Sequence, residues 1–210
     1  MVNSSHPREI YNTLLHLFEK KYNLLNSFRL LLEELSQDPT SLLQAQIQFG
    51  RPLRSMLGTS TATLQGALEV SHLPALLDFK YDGLRLQVHN HYGCVRLFSR
   101  NLDEITPQFP ELVEHIATNF SDTAFVMDCE GVGYDREKHQ YLPFQILSRR
   151  ILTKNVSEVS HITVVLKAFD LLAYEEKTLI DTPFKKRRDL LEEIFLHRRL
   201  RQPLYKNDKS

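Results

Sequence analysis

The sequence has no apolar run approaching the roughly 20 residues that span a bilayer, and its N-terminus lacks the apolar stretch of a secretory signal. The expectation is a soluble intracellular chain with no membrane partner, cytoplasmic in a prokaryote or nuclear in a eukaryote. Cysteine is scarce: Cys94 and Cys129 sit in strand-like segments, and their spacing suggests neither a disulfide framework nor a zinc site. Both are expected as core thiols. Net charge is absent too, with 26 Lys plus Arg against 26 Asp plus Glu, so no global basic field draws in nucleic acid. Any such contact must come from local clusters: Arg149-Arg150 with Lys154, and Lys185-Lys186-Arg187-Arg188 with Arg198-Arg199-Arg201. For Lys185 to Arg188 the simpler reading is a solvated helix face, because Asp189, Glu192 and Glu193 follow at helical spacing. There is no internal repeat or low-complexity segment.

What remains is 210 residues, 42% hydrophobic and 25% charged, enough to bury the core of one ordinary domain with an appended helical piece. From Glu9 to Leu35 the apolar residues Ile10, Leu14, Phe18, Leu24, Leu25, Phe28, Leu31, Leu32 and Leu35 recur largely at three- and four-residue steps, the mark of amphipathic helices. Asp38-Pro39-Thr40 breaks the run, and Thr40 or Ser41 is a candidate cap for a short following helix. Beyond residue 58 the pattern predicts strands at Leu84–His89, Val95–Phe98, Thr123–Met127 and Ile162–Ala168, bounded by turn residues such as Asn90, Gly93 and Asp122. Helices are predicted at Pro110–Asn119 and Pro183–His197. Strands and helices intersperse without a βαβ rhythm, so the fold class is α+β.

The chemistry concentrates in Lys80-Tyr81-Asp82-Gly83-Leu84-Arg85, which sets an amine, a carboxylate and a guanidinium around a glycine turn. At average residue usage, Lys-x-Asp-Gly-x-Arg arises by chance in such a chain with probability on the order of 10⁻³. Lys80 is a candidate nucleophile toward a nucleotide phosphate, a role that needs a deprotonated amine; burial and neighbouring cations favour that form. Outside the motif it would read as a surface lysine. Asp82 and Gly83 would supply the turn aiming Lys80 inward, or an ordinary Asp-Gly hairpin turn. Arg85 and Arg100 offer planar forks to anionic oxygens, against the plainer reading of solvated strand arginines. Asp128 and Glu130 share one strand face, as a metal-binding pair or a polar strand edge. Phe169 is either a stacking aromatic or a core phenylalanine at a strand end. His89 and His91 alternate on one strand, but Asn90 and Gly93 place them at a solvent-exposed hairpin tip.

The run Asp78-Phe79-Lys80-Tyr81-Asp82-Gly83-Leu84-Arg85-Leu86-Gln87-Val88-His89 resembles the active-site segment of ATP-dependent DNA ligases of the archaeal and eukaryotic replicative type. Phe98-Ser99-Arg100-Asn101, Phe109-Pro110, Met127-Asp128-Cys129-Glu130, Leu142-Pro143-Phe144-Gln145 and Ala168-Phe169-Asp170-Leu171-Leu172 follow in that family's order. The resemblance runs from about Tyr22 to about Phe195. It implies residues 1–49 as the last helices of a DNA-binding domain and 50–58 as a linker, where Ser55-Met56-Leu57-Gly58 stands for the family's Pro-Met-Leu-Ala. Residues 59–210 would then be the first part of a nucleotidyltransferase (adenylation) domain. A RNA ligase or capping enzyme shares the lysine motif but not the Arg100 and Pro143 blocks or the N-terminal helices.

By that resemblance Lys80 is the catalytic lysine, forming a lysyl-AMP. Asp78, Arg85, Arg100, Glu130 and Phe169 hold ATP, with Glu130 also contacting Mg²⁺ and Phe169 stacking on adenine. Asp78 stands where ligases usually carry glutamate reading the adenine amino group, and one methylene fewer draws the acceptor back by about 1.5 Å. ATP is nonetheless expected over GTP. The implied substrate is nicked double-stranded DNA, joined in replication, repair and recombination by a monomer; a sliding clamp or other replication partner is not legible in the residues. The family's later blocks, a Glu-Gly-x-x-x-Lys, a Lys-x-Lys strand and an OB-fold, are not found after Phe195. Losing their stabilisation of the leaving group costs several kcal/mol of barrier, so self-adenylylation is expected to be feeble or absent and nick sealing impaired. The alternative expectation is a non-catalytic DNA- or partner-binding remnant.

Overall fold

The computed structural model describes residues 6–44, 46–56, 58–71, 74–152 and 163–198. Two helices open it, α1 (Pro7–Leu25) and α2 (Phe28–Gln37). They are parted by Asn26 in the left-handed region (φ 48°) and by Ser27, whose hydroxyl accepts the Leu30 N–H. The short 3-10 turn Pro39–Leu43 is capped by Asp38, whose Oδ1 accepts the Thr40 N–H at 2.8 Å; neither Thr40 nor Ser41 is the cap. An exposed helix α3 (Leu64–Ser71) buries no side chain. Its apolar residues at helical spacing, Leu64, Ala67 and Leu68, make up a single turn, too short a run to announce a helix.

The rest is one antiparallel sheet: β1 (Leu84–His91), β2 (Cys94–Ser99), β3 (Ala124–Asp135), β4 (Gln140–Tyr141), β5 (Thr163–Tyr174) and β6 (Lys177–Thr178). Its order is β2-β1-β3-β5-β6, with β4 on the end of β3. The predicted start of β5 at Ile162 lies outside the described residues. β3 runs eight residues past the predicted Met127, because Asp128, Glu130, Gly131 and Gly133 hide a strand that is central and needs close packing. A Cβ on Gly131 would lie 2.7 Å from Leu86 Cδ1. The β1–β2 hairpin turns through Tyr92 and Gly93, both at positive φ (50° and 87°), as a two-residue hairpin favours.

Each face of the sheet meets a different layer. Leu84, Leu86, Val88, Met127, Cys129, Leu166 and Leu171 pack against α4 (Pro110–Asn119), α5 (Phe144–Leu152) and α6 (Phe184–His197) through Ile116, Leu147 and Leu191, forming the main core. Each fully buried Leu or Phe there contributes about 1.5–3 kcal/mol. On the other face, Leu24, Ile47 and Leu53 of the N-terminal part cover Val126 and Ala173, and Ile47 N–H donates to Thr178 Oγ1 at 2.8 Å. That cover extends over only part of the face. The uncovered end, where β1 begins, carries the chemistry-bearing residues. Cys129 is buried as expected, whereas Cys94 is exposed, at the start of edge strand β2 where it alternates with buried Val95 and Leu97 as Arg96 does.

Candidate active site

Residues 75–80 cross this end without regular structure and enter β1 through a bend at Asp82 and Gly83. Lys80 is exposed rather than aimed inward, and makes no hydrogen bond or ion pair among the described residues. Its neighbours, by contrast, are held. The Asp78 carboxylate takes the Phe79 N–H at 2.8 Å and lies 3.4 Å from Arg188 Nη1 of α6. The Tyr81 ring lies 4.9 Å from Lys167 Nζ of β5. Asp82 Oδ2 accepts the Phe144 N–H (3.4 Å) at the start of α5, where a carboxylate suits the positive helix end. Gly83 serves by its missing side chain rather than by a positive φ: a Cβ would sit 2.5 Å from Gly131 O and 2.9 Å from Glu130 Cγ.

Below the loop, register places Arg85 across from Glu130 and Glu130 across from Lys167 on one sheet face. Glu130 is half-buried. Burial pushes its carboxyl above the usual range, while the charges of Lys80 and Arg85 and the Gly83 N–H pull it back. Those pulls place Lys80, Arg85 and Glu130 in one electrostatic neighbourhood. Asp128 belongs to a central strand, not a polar edge, and is only 5% exposed. Burial raises its carboxyl as well, against Arg85 and a Gln87 hydrogen bond. Arg85 Nη2 donates to Asp128 Oδ2 at 2.6 Å, and its guanidinium lies 5.4 Å over the Phe169 ring. Phe169 stands mid-strand, not at a strand end, as the extra residue of a bulge between the pairs Asp128–Asp170 and Cys129–Ala168.

Arg100 is the outlier of the expected set. It occupies the exposed turn after β2, one step beyond the Leu86–Ser99 pair and so level with Arg85, and contacts no described residue by hydrogen bond or ion pair. The basic clusters are largely consumed within the fold. Arg150 is buried against Glu111, Arg187 grips Asp170 with two nitrogens (2.7 and 2.9 Å), Arg188 also donates to Phe169 O, and Arg198 meets Asp122. The solvated-face reading therefore holds for Lys185 and Lys186 but not for Arg187 and Arg188, which hold α6 to β5. Lys154, Arg199 and Arg201 lie outside the described residues.

Sequence reasoning passed over a chain of buried polar groups along the same face. His89 is 1% exposed, not solvent-exposed at a hairpin tip; the tip is Tyr92-Gly93, while His91 is exposed as expected. His89 Nδ1 accepts the Gly50 N–H at 3.1 Å, and Nε2 faces Gln87 Oε1 at 3.0 Å. Burial, with the Arg96 charge, lowers its pKa from 6.5 to about 3. Gln87 Oε1 also accepts the Leu53 N–H at 2.7 Å, and its amide reaches Asp128 Oδ1 at 3.3 Å. The available signal was Arg85, Gln87 and His89 alternating with Leu84, Leu86 and Val88: a polar stripe on a strand buried on both faces.

The donor set fits a nucleotide. Arg85 Nε–H is buried with no acceptor among the described residues, a donor that a ribose or phosphate oxygen would satisfy. For a divalent ion, no cluster of three His, Cys, Asp or Glu occurs among the described residues. Glu130 alone still fits Mg²⁺, which commonly takes one or two carboxylates and completes its shell with water and substrate phosphates.

A family model described as the ATP-dependent DNA ligase domain matches residues 55–209. The chain belongs to the ATP-dependent DNA ligase family. It is 38% identical over 160 residues to a DNA ligase of Nanoarchaeum equitans, covering 75% of this chain and 28% of the relative. A DNA ligase of Methanococcus maripaludis (strain C7) is 36% identical over 181 residues (84% and 31%), and one of Thermococcus onnurineus 33% over 189 (89% and 34%). The chain thus spans about a third of the length of these curated ligases. Among solved structures, the ligase domain from M. tuberculosis LigD is 30% identical over 57% of this chain and 36% of that one, with a TM-score of 0.48. No described helix is long and apolar enough to cross a membrane.

Proposed function

We propose that this chain carries the adenylylation chemistry of an ATP-dependent DNA ligase, with Lys80 as the nucleophile. The observation that carries the reading is the placement of Lys80: without an ion pair or hydrogen bond among the described residues, within electrostatic reach of Glu130, and on a loop whose flanking residues are tied to α5, β5 and α6. Lys80 Nζ, once it has given up a proton, bonds to the α-phosphorus of ATP. The bond from that phosphorus to the bridging oxygen breaks, and pyrophosphate departs. Arg85 contacts the ribose or α-phosphate, Phe169 stacks on adenine, and Asp78 accepts from the adenine amino group. Arg100 reaches the nucleotide from the turn after β2. Glu130, with phosphate oxygens of the nucleotide, would hold Mg²⁺, and the ion would supply charge neutralisation for the leaving group.

In the same reading residues 1–49 are helices of a DNA-binding domain, 50–58 a linker and 59–210 part of the adenylation domain; the family match over 55–209 supports the last of these. AMP would pass from Lys80 to the 5′-phosphate of nicked duplex DNA, in replication, repair or recombination. The test is incubation with α-labelled ATP and Mg²⁺ followed by a denaturing gel. Weak, acid-labile label that disappears in Lys80→Ala is expected. Label that survives in Lys80→Ala, or efficient sealing of nicked DNA by this chain alone, overturns the reading.

A further inference from the structure

The buried polar chain between residues 50–53 and Arg85 has no part in the chemistry proposed for Lys80. Burying it is costly unless every member is satisfied. It is closely satisfied: Gln87, 4% exposed, takes the Leu53 N–H and faces His89 Nε2 with its oxygen, and gives its amide hydrogens to Leu53 O (3.4 Å) and Asp128 Oδ1 (3.3 Å). Asp128 thus has one oxygen fixed by Gln87 and the other by Arg85. A carboxylate hydrogen-bonded at one oxygen is restrained about its side-chain torsion. Its second oxygen then presents a fixed acceptor to the guanidinium, at 2.6 Å, where Arg85 overlies Phe169.

We infer that Gln87 and Asp128 are positioning residues for Arg85, through which the backbone of residues 50–53 sets nucleotide affinity. The inference rests on the reading of Arg85 and Phe169 as nucleotide contacts. Its consequence is regulatory: displacement of residues 50–53 from β1 frees Gln87, lets Asp128 turn, and loosens Arg85 from its place over the ring. Occupancy of the adenylylation site is thereby coupled to the seating of the segment that joins the N-terminal helices to the sheet.

A double-mutant cycle on equilibrium ATP binding tests this. Gln87→Met keeps the volume and removes both hydrogen-bonding ends; it should weaken ATP by about tenfold, the worth of one hydrogen bond to a charged group. In an Arg85→Lys background the same change should cost nothing further, because Gln87 acts through Arg85. Equal losses in both backgrounds indicate a merely structural glutamine and overturn the inference. If Gln87→Met fails to fold by thermal denaturation, Gln87→Glu takes its place in the cycle. That variant keeps the acceptor for Leu53 but loses the donor to Asp128, and the same non-additivity is required. Exchange of the Arg85 guanidinium protons, followed by NMR without nucleotide, separates this inference from the functional reading. Faster exchange in the Gln87 variant supports positioning even if the wild type does not bind ATP, and unchanged exchange overturns it.

Discussion

Replacing His89 by glutamine should flatten the acid limb of this protein's stability curve. The His89 ring lies between a donor, the Gly50 N–H at 3.1 Å from Nδ1, and an acceptor, Gln87 Oε1 at 3.0 Å from Nε2. Those partners assign the neutral tautomer with hydrogen on Nε2. Adding a proton to Nδ1 would set two N–H groups against each other; burial, with the Arg96 charge, lowers the folded-state pKa from 6.5 to about 3. Between those values the unfolded chain binds the proton and the folded chain does not, so stability is fully present above pH 6.5 and is lost as pH falls toward 3. At about 1.4 kcal/mol per pH unit, the loss summed over that interval is roughly 5 kcal/mol, an order-of-magnitude ceiling. Asp128 and Glu130 act in the opposite sense, since burial raises their carboxyls and the folded state takes up protons first. They are common to both proteins and largely cancel in the difference. Urea midpoints from pH 7 to pH 4 should therefore diverge, with the wild type falling more steeply than His89→Gln. Parallel curves, or a His89 ring titration near pH 6.5 in the folded protein, would refute the reasoning.

Gly83→Ala should destabilise by at least about 2 kcal/mol and displace the Lys80 loop, because the new methyl meets the Gly131 carbonyl rather than a movable side chain; chemical denaturation and ATP binding read the two effects. Asp170→Asn should cost about 2–3 kcal/mol by stripping Arg187 of its two-point partner at a site where both side chains are 15% exposed. Denaturant titration measures it, and a loss below about 0.5 kcal/mol would mean that the Arg187 pair does not hold α6. ATP should bind more tightly than GTP in an equilibrium comparison, with Phe169→Leu weakening ATP by about tenfold through lost stacking; equal affinities would remove the adenine contact from Asp78.

The core-facing half of the fold was legible because its signals are local. Pro110–Asn119 is the predicted helix residue for residue, and β1 and β2 differ from prediction by one or two residues at their ends, since apolar periodicity and turn residues bound them. The site-facing half was harder. Asp128, Glu130 and two glycines hid the second half of β3 because a central strand facing a polar site does not look like a strand in isolation. His89 was misread for a related reason: its neighbours Asn90 and Gly93 signal a turn, but Asn90 is itself buried, with its amide nitrogen donating to Phe120 O and Thr123 O. The partners of Arg85, Asp128 and Arg187 come from 43, 43 and 17 residues away, distances at which no spacing rule speaks. Lys80 is proposed from its motif, whereas its exposure and the ties on Asp78, Tyr81 and Asp82 depend on β5, α5 and α6.

The most direct measurement is peptide mapping by mass spectrometry after incubation with millimolar ATP and Mg²⁺. If Lys80 is the nucleophile, even weak modification should appear as a single AMP on the peptide containing Lys80, with fragmentation placing it on that side chain, and pyrophosphate released in equal amount. AMP on another residue such as Lys167, with the Lys80 peptide unmodified, would contradict the account.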